Sequence, residues 1–500
     1  MREPAPPVPA PSPTPVSARR RRLPLVLGVA LLVFLLLLAG LRLLVASQTS
    51  PAALAARMES LIDARVEIAD TSLSLLRLPA QVRLSGFRLA GRDALANNAV
   101  PLRQRPPVQR WFIGADEVTL EASLWSLLTG RILVEDLRLK GATLDAVINK
   151  KGQWNVTKLF DEPGIVNGKP NPRKAAKAPE AGAPDEPSFA GPQASDFPMA
   201  AEVKHVLFEG SDLQAFLKKK ETLVDLSGLR LEIDGLDIDP ADLAHHNGGR
   251  LRLQGVVKVG KPDSQVEFAI FHIQGEGTVR PFDPATGVFN PLAEARVVLQ
   301  DPSTISLLPS LQKIAKKVEV LRKFGIDVVD EIGESVDFTP GTVLDLRFAD
   351  GRLVTVTPLR ARAGTLEIEL EPGGWVAPAS NDHFLNAVLL ANDELSSSLR
   401  QQVKEKSASI PGAKAKEQFV AELEKSLFPE GKFRPAFSSQ GDLGDPDVEL
   451  TNPLPDMGKF LRGVLEDIGV NPEDAKALEE VGRSLLDGLF KKNQGKEKTN

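Results

Sequence analysis

Apolar and polar residues alternate along most of this chain, which is the period of a strand with one buried face. Val66–Leu75 carries the alternation on Val66, Ile68, Thr71 and Leu73. Gln81–Leu89 (QVRLSGFRL) sets Val82, Leu84 and Phe87 against Arg83 and Arg88, with Gly86 as a bulge. Asp116–Leu120, Ile132–Leu139, Leu144–Asn149 and Trp154–Val156 continue it, with a helical turn at Ser123–Thr129. From Ala201 to Leu299 the strand pattern resumes: Leu251 and Leu253 alternate with Arg250, Arg252 and Gln254, and Val266, Phe268 and Ile270 alternate cleanly. Val343–Phe348, Leu353–Val356 and Thr365–Glu371 follow; in the last, Leu366, Ile368 and Leu370 face one way and Glu367, Glu369 and Glu371 the other.

Helical spacing appears in fewer places. Pro51–Ile62 reads as a short helix. In Ser303–Phe324, Leu307, Leu311, Ile314, Val318, Leu321 and Phe324 share one face, opposite Lys313, Lys316, Lys317, Arg322 and Lys323. Helices are expected at Asn381–Lys406, Lys414–Leu427, Pro455–Ile468 and Pro472–Phe490, with a short strand at Phe433–Ser438.

The run Leu23–Leu41 (LPLVLGVALLVFLLLLAGL) has no charge at all. At about 1.5 Å per helical residue it nearly matches a hydrocarbon core of roughly 30 Å. Arg19–Arg22 precede it, which places the N-terminus in the cytoplasm and the bulk of the chain across the membrane. A cleavable signal peptide is the rival reading, but its apolar core is usually only about 7–15 residues. The expected organisation is a cytoplasmic tail (1–22), a transmembrane anchor (23–46), a first β region (47–160), a linker rich in Pro, Gly, Ala and Lys (161–200), a second β region with helix 303–324 (201–380), a helical C-terminal region with a short strand (381–490) and a polar tail (491–500). The fold class is thus mainly β: one transmembrane helix, then an elongated, curled antiparallel sheet with a few flanking helices and a helical C-terminus.

Composition narrows the function. The chain has 500 residues, a net charge of −5 and no Cys. Without Cys there are no disulfide staples, thiol nucleophiles, iron–sulfur clusters or thiolate zinc sites. The one dense basic run flanks the apolar segment, so a nucleic-acid partner has no electrostatic footprint.

An internal echo links Leu137–Lys151 (LRLKGATLDAVINKK) with Val206–Lys220 (VLFEGSDLQAFLKKK), aligning Gly141 with Gly210, Leu144 with Leu213 and Ala146 with Ala215. LSGFRL at Leu84–Leu89 likewise echoes LSGLRL at Leu226–Leu231. The pattern reads as a recurring strand–Gly–strand hairpin, of the kind from which an elongated sheet grows by added units. Convergence on ordinary hairpin composition is the alternative.

The order of these segments resembles the AsmA-like proteins of the bacterial envelope. The resemblance rests on the basic N-terminus and single membrane helix, then Leu127-Leu128-Thr129-Gly130, Val134-Glu135-Asp136-Leu137-Arg138-Leu139, Gly141 and Gly152-Gln153-Trp154-Asn155. Phe348–Leu353 (FADGRL) and Gly441–Val448 (GDLGDPDV) resemble later elements of that family. The resemblance implies an inner-membrane anchor, a β-rich periplasmic body and a long sheet curled round an apolar groove, as in bridge-like lipid-transfer proteins. It further implies a role in outer-membrane biogenesis or integrity and in phospholipid transport.

Candidate chemistry is sparse. His205, His245, His246, His272 and His383 lack metal-ligand spacing, and His245-His246 falls in a turn. No nucleophile elbow, zincin or Walker motif occurs. Gly275-Glu276-Gly277 reads as a strand-edge turn, and the acid pairs Asp237/Asp239 and Asp445/Asp447 as turn residues. The expectation is a protein that is not an enzyme and takes no cofactor or metal. Helix 303–324 could lie on an anionic membrane or close one end of a sheet. Val266, Phe268, Ile270, Leu366, Ile368 and Leu370 are the candidates for an apolar groove lining; the alternative for the same alternation is a closed core against helices. Expected partners are the inner membrane and phospholipid. A scaffold that binds an envelope protein through strand edges or the C-terminal helices is the alternative function.

Overall fold

The computed structural model describes residues 50–74, 77–91, 108, 110–149, 155–156, 159, 165–166, 169–170, 194–196, 199–218, 221–261, 267–306, 327–377, 382–408, 413–442, 446–451 and 467. The run 23–41, most of the linker 161–200, most of helix 303–324 and the helices expected beyond 455 lie outside them.

Helix α1 (Pro51–Leu61) starts where Ser50 caps it, accepting from the Ala53 amide at 3.3 Å, with Pro51 at the first helical position. It packs Ala55 against Ala64, Val66 and Leu89. Strands β1 (Ala64–Glu67) and β2 (Asp70–Ser74) follow, and both pair with β3 (Ala80–Gly91). The single strand expected at Val66–Leu75 is therefore broken at Ile68-Ala69. The cause is Gly86, bulged at φ +60°: a Cβ there would lie 2.8 Å from the Ala69 Cβ, so the two backbones approach closely.

Strands β4 (Ile113–Ser123), β5 (Arg131–Lys140) and β6 (Thr143–Ile148) extend this sheet, with a 3-10 turn at Leu124–Thr129 as expected. Asn155 lies in a turn, not a strand. Its side chain accepts from the Val147 amide at 2.7 Å and donates to the Asp145 carbonyl at 3.3 Å, closing the flank of β6. A small hairpin, β7 (Ile165–Val166) and β8 (Lys169–Pro170), stands apart.

Five long strands then add in chain order: β9 (Ala200–Leu217), β10 (Thr222–Ile238), β11 (Asn247–Gly260), β12 (Glu267–Phe282) and β13 (Phe289–Ser306). The expected helix at Ser303–Phe324 is corrected at its start, because Ser303–Ser306 complete β13 and pair with β12 and β14. Gly275-Glu276-Gly277 is also not a turn. It lies inside β12, where a Cβ on Gly277 would fall 1.9 Å from the Glu294 carbonyl oxygen.

Beyond a short helix α2 (Val328–Ile332) come β14 (Ser335–Asp337), β15 (Val343–Ala349), β16 (Arg352–Thr355), β17 (Leu359–Ala363), β18 (Leu366–Leu370), β19 (Trp375–Ala377) and β20 (Asp382–Leu390). Helix α3 (Asp393–Ala408) was expected to begin at Asn381. It begins instead after Asn392, whose side chain accepts from the Leu395 amide at 2.7 Å. Residues 382–390 are drawn into the sheet by partners on both sides, β18 and β19 on one and β21 (Ala436–Asp442) on the other. Helix α4 (Ala413–Leu427) and the edge strand β22 (Asp447–Leu450) complete the described fold.

Among the described residues the result is one large, curled, mainly antiparallel sheet of 20 strands. Its parallel ladder joins β5 and β6 to β9. The main core sits where α3 and α4 cover the far end: Leu399, Val403, Leu423 and Leu427 pack with Leu366, Leu389 and Phe437.

Candidate functional site

Residues paired across neighbouring strands point to the same face. Followed through the register, one row runs Leu73, Val82, Leu120, Leu137, Val206, Ile233, Leu251, Gly277, Ala295, Leu346. The next runs Leu84, Val118, Leu139, Phe208, Leu231, Leu253, Gly275, Val297, Leu344. Every member is apolar or Gly. Together they form a continuous apolar belt across β3 to β15. Most of its side chains are half-buried. Among the described residues α1 packs at the β1 end and α3 and α4 at the β18–β21 end; at the β15 end of the belt Leu344 packs against the core that α3 and α4 cover, while the other members of the two rows belong to neither helix-covered core.

The opposite face is charged. The register there runs Arg83, Thr119, Arg138, Leu207, Glu232, Arg252, Glu276, Arg296, Asp345. Arg83 binds Glu117 at 2.5 Å, Arg138 binds Asp136 at 2.6 Å, and Arg296 binds Asp345 at 3.5 Å; these arginines remain more than half exposed. Arg83 holds Glu117 below the usual carboxylate range, with Thr119 assisting against burial. A shallow open depression of about 780 Å³ is lined by Asp234, Arg250, Arg252, Glu276, Arg296 and Asp345, together with Leu251, Gly277, Ala295 and Leu346 of the first belt row.

The glycines of the sequence echo shape this surface. Gly86, Gly210 and Gly228 are bulges inside long strands, not hairpin turns, and Gly141 is the kink at which the chain passes from β5 to β6. Gly141, between β5 and β6, has φ +59° and lies beside Gly210 of β9 at φ +60°, and Gly228 of β10 follows at φ +59°. The Gly141 amide donates to the Glu209 carbonyl at 2.9 Å, and the Gly228 amide to Asp212 Oδ1 at 3.0 Å. With Gly86, these aligned bulges form a crease across β3 to β10, the means by which a sheet is bent on purpose.

The six expected lining residues are divided by the structure. Val266 lies outside the described residues. Phe268 and Ile270 share the side of His272 and Gln274; the belt's side of β12 carries Phe271 and Ile273, and there it runs into the main core, against which both pack. Leu366 is 1 % exposed in the main core, and Ile368 and Leu370 pack against it. On β18 the alternation thus buries a closed core. Sequence reasoning missed the belt because each strand contributes only two or three positions to it, and only the register joins them.

The side chains of His205, His245, His246 and His383 are paired within the fold. His245 Nδ1 lies 2.9 Å from Asp242, and His246 Nδ1 2.6 Å from Asp237, which also binds Arg131 at 2.6 Å. Burial pushes Asp237 up, but the hydrogen bonds from His246 and Arg131 outweigh it and hold its carboxyl below the usual value; Asp237 in turn raises His246. His383, 3 % exposed, bridges the Gly441 carbonyl and Ser439 Oγ at 2.7 and 2.8 Å. Among the described residues no group of three His, Cys, Asp or Glu side chains is placed to hold a metal ion. Among them, too, no helix is long and apolar enough to cross a membrane.

Compared with known proteins, the chain matches no family model, no curated protein and no solved structure.

Proposed function

We propose that this chain binds phospholipid acyl chains along the apolar belt, without catalysis, as an anchored protein of the bacterial envelope that supports the outer membrane. The observation that carries the reading is the uninterrupted apolar register from β3 to β15, whose two rows, among the described residues, join the helix-covered core only at Leu344, and which is backed by a charged face. Burying one CH₂ group stabilises by roughly 0.8 kcal/mol, so a chain of many methylenes binds such a surface with no specific side chain. That accounts for a belt with no polar group set into it. The run Leu23–Leu41 supports the inner-membrane anchor, and the resemblance to AsmA-like proteins supports the envelope setting.

The test places a photo-crosslinking phenylalanine analogue at Phe208, on the belt, or at Glu276, on the charged face, of the full chain in its membrane. Lipid adducts at 208 that are absent at 276 are the expected result. Equal adducts at both, or protein adducts alone at 208, would refute the reading; the second outcome favours a scaffold that binds an envelope protein.

A further inference from the structure

Four large apolar side chains stand in water at one end of the first strands. Leu78 is 75 % exposed, Leu124 45 %, Trp125 68 % and Leu128 78 %. They lie on two neighbouring turns. Leu78 precedes β3, whose Ala80 pairs with Ala122 of β4, and the other three occupy the 3-10 turn that follows β4. This end of β3 is opposite the end that meets α1, because β1 pairs with the Arg88–Gly91 stretch of β3.

The chemistry of these turns selects a lipid surface over water or a protein groove. The stretch Leu124–Gly130 (LWSLLTG) has no charged residue. Its hydroxyls are turned inward. Ser126 Oγ donates to the Ser123 carbonyl at 2.7 Å and accepts from the Leu133 amide at 3.1 Å, and Thr129 Oγ1 donates to the Ser126 carbonyl at 2.7 Å. A segment that enters an apolar phase must have its polar groups satisfied beforehand, and these hydroxyls are. An indole combines a broad apolar ring with one N–H donor, which suits the boundary between hydrocarbon and headgroups. Arg77, next to Leu78 and with its side chain 56 % exposed, is paired with Glu121 at 3.7 Å and donates to Gln81 Oε1 at 3.0 Å, so its charge is met within the fold beside the tip. The side chains project from turns, which suits insertion into a fluid phase; a protein partner would need pockets cut to their shape. The belt also reaches this end, through the row Ala80, Ala122, Val134, Val203, Leu236.

We propose that the two turns form a tip that inserts into the interfacial layer of a phospholipid bilayer, to a depth of about 5–10 Å. This goes beyond acyl-chain binding by the belt, and either property can fail without the other. Docked in this way, the tip sets the end of the belt against the source or the destination of lipid.

The chain has no Cys, so one can be introduced alone. Leu128→Cys, at an exposed position, is labelled with an environment-sensitive fluorophore in the full chain. The protein is reconstituted in vesicles of phosphatidylethanolamine and phosphatidylglycerol. Spin-labelled quencher lipid is placed either in the same vesicles or in a second population added afterwards. The expected result is blue-shifted emission and loss of most of the fluorescence with quencher in one of the two populations, which also tells which membrane is met. The same label at Gln254→Cys, on the charged face, should respond to neither. Adding Trp125→Ser to Leu128→Cys should restore much of the lost signal. Emission from Leu128→Cys equal to that from Gln254→Cys, unmoved by either quencher, would overturn the proposal, as would quenching that Trp125→Ser leaves unchanged.

Discussion

Gly141 and Gly210 lie abreast across the parallel ladder that joins β5 and β6 to β9, both in the left-handed region. The register there pairs Leu137 with Val206, Leu144 with Leu213 and Ala146 with Ala215. These are the same pairs that the sequence echo aligns. The two similar segments are thus stacked side by side with their kinks matched, and the crease passes from one half of the sheet to the other without a break.

The crease and the belt make different demands on their glycines. Around Gly210 a Cβ meets nothing within 4 Å, so Gly210→Ala should cost only the left-handed backbone term, about 1–2 kcal/mol. Gly277→Ala should cost more, although its φ is ordinary, because the Glu294 carbonyl stands 1.9 Å from the new Cβ and belongs to the backbone. Urea unfolding of the two variants compares them directly.

Leu423 is fully buried between α4 and the sheet, whereas Leu253 is a half-buried member of the belt. Leu423→Ala should destabilise by about 2–5 kcal/mol. Leu253→Ala should cost about half of that or less, since less surface leaves contact on unfolding. Leu253→Asn should leave the melting temperature close to that of Leu253→Ala yet sharply reduce lipid adducts formed at position 208. Undiminished adducts would mean that the belt is not the surface the lipid uses.

His246 should titrate above the ordinary histidine range, and Asp237→Asn should bring it back down. NMR of the ring protons reads both. Because the folded value is raised, the contribution of His246 is fully present below about 6.5 and is lost as pH rises through the folded value. Asp237 behaves oppositely: its folded value is lowered, so its contribution is lost as pH falls through that value. The pair therefore holds the β10–β11 turn best in the window between the two.

Arg400 of α3 grips Glu424 of α4 with two hydrogen bonds, at 2.8 and 3.3 Å. The Arg400 guanidinium holds the Glu424 carboxyl below the usual carboxylate range. A double-mutant cycle with Arg400→Met and Glu424→Gln should give a coupling of about 0.2–1 kcal/mol at neutral pH, as for other partly exposed pairs. The coupling should fade as pH drops through the lowered value of Glu424. A coupling that persists in acid would place the attraction elsewhere.

Much of the fold was legible from local pattern. The alternation of Leu251 and Leu253 with their arginines marks β11, and the helix at Lys414–Leu427 lies within one residue of α4. What failed was long-range. Residues 382–390 look helical beside their helical neighbours, but β18, β19 and β21 compete for their backbone and win. Of the candidate surface, Phe268 and Ile270 alternate as well as any pair, yet the face that alternation fills is set by the partner strand. The belt is held together by cross-strand register, which no single strand's periodicity carries.

The parallel ladder also bears on how the chain reaches this structure. A hairpin strand finds its partner a few residues away, but β9 must return across the whole connection from Ile148 to Ala200. Closing so long a loop is entropically costly before any contact offsets it. The docking edge is made of β5 and β6, which belong to a local meander with β3 and β4 and emerge first in synthesis. From β9 to β13 each strand then lays down against one already in place. Assembly can thus run in the direction of translation, with β9 as the slow step and everything after it templated.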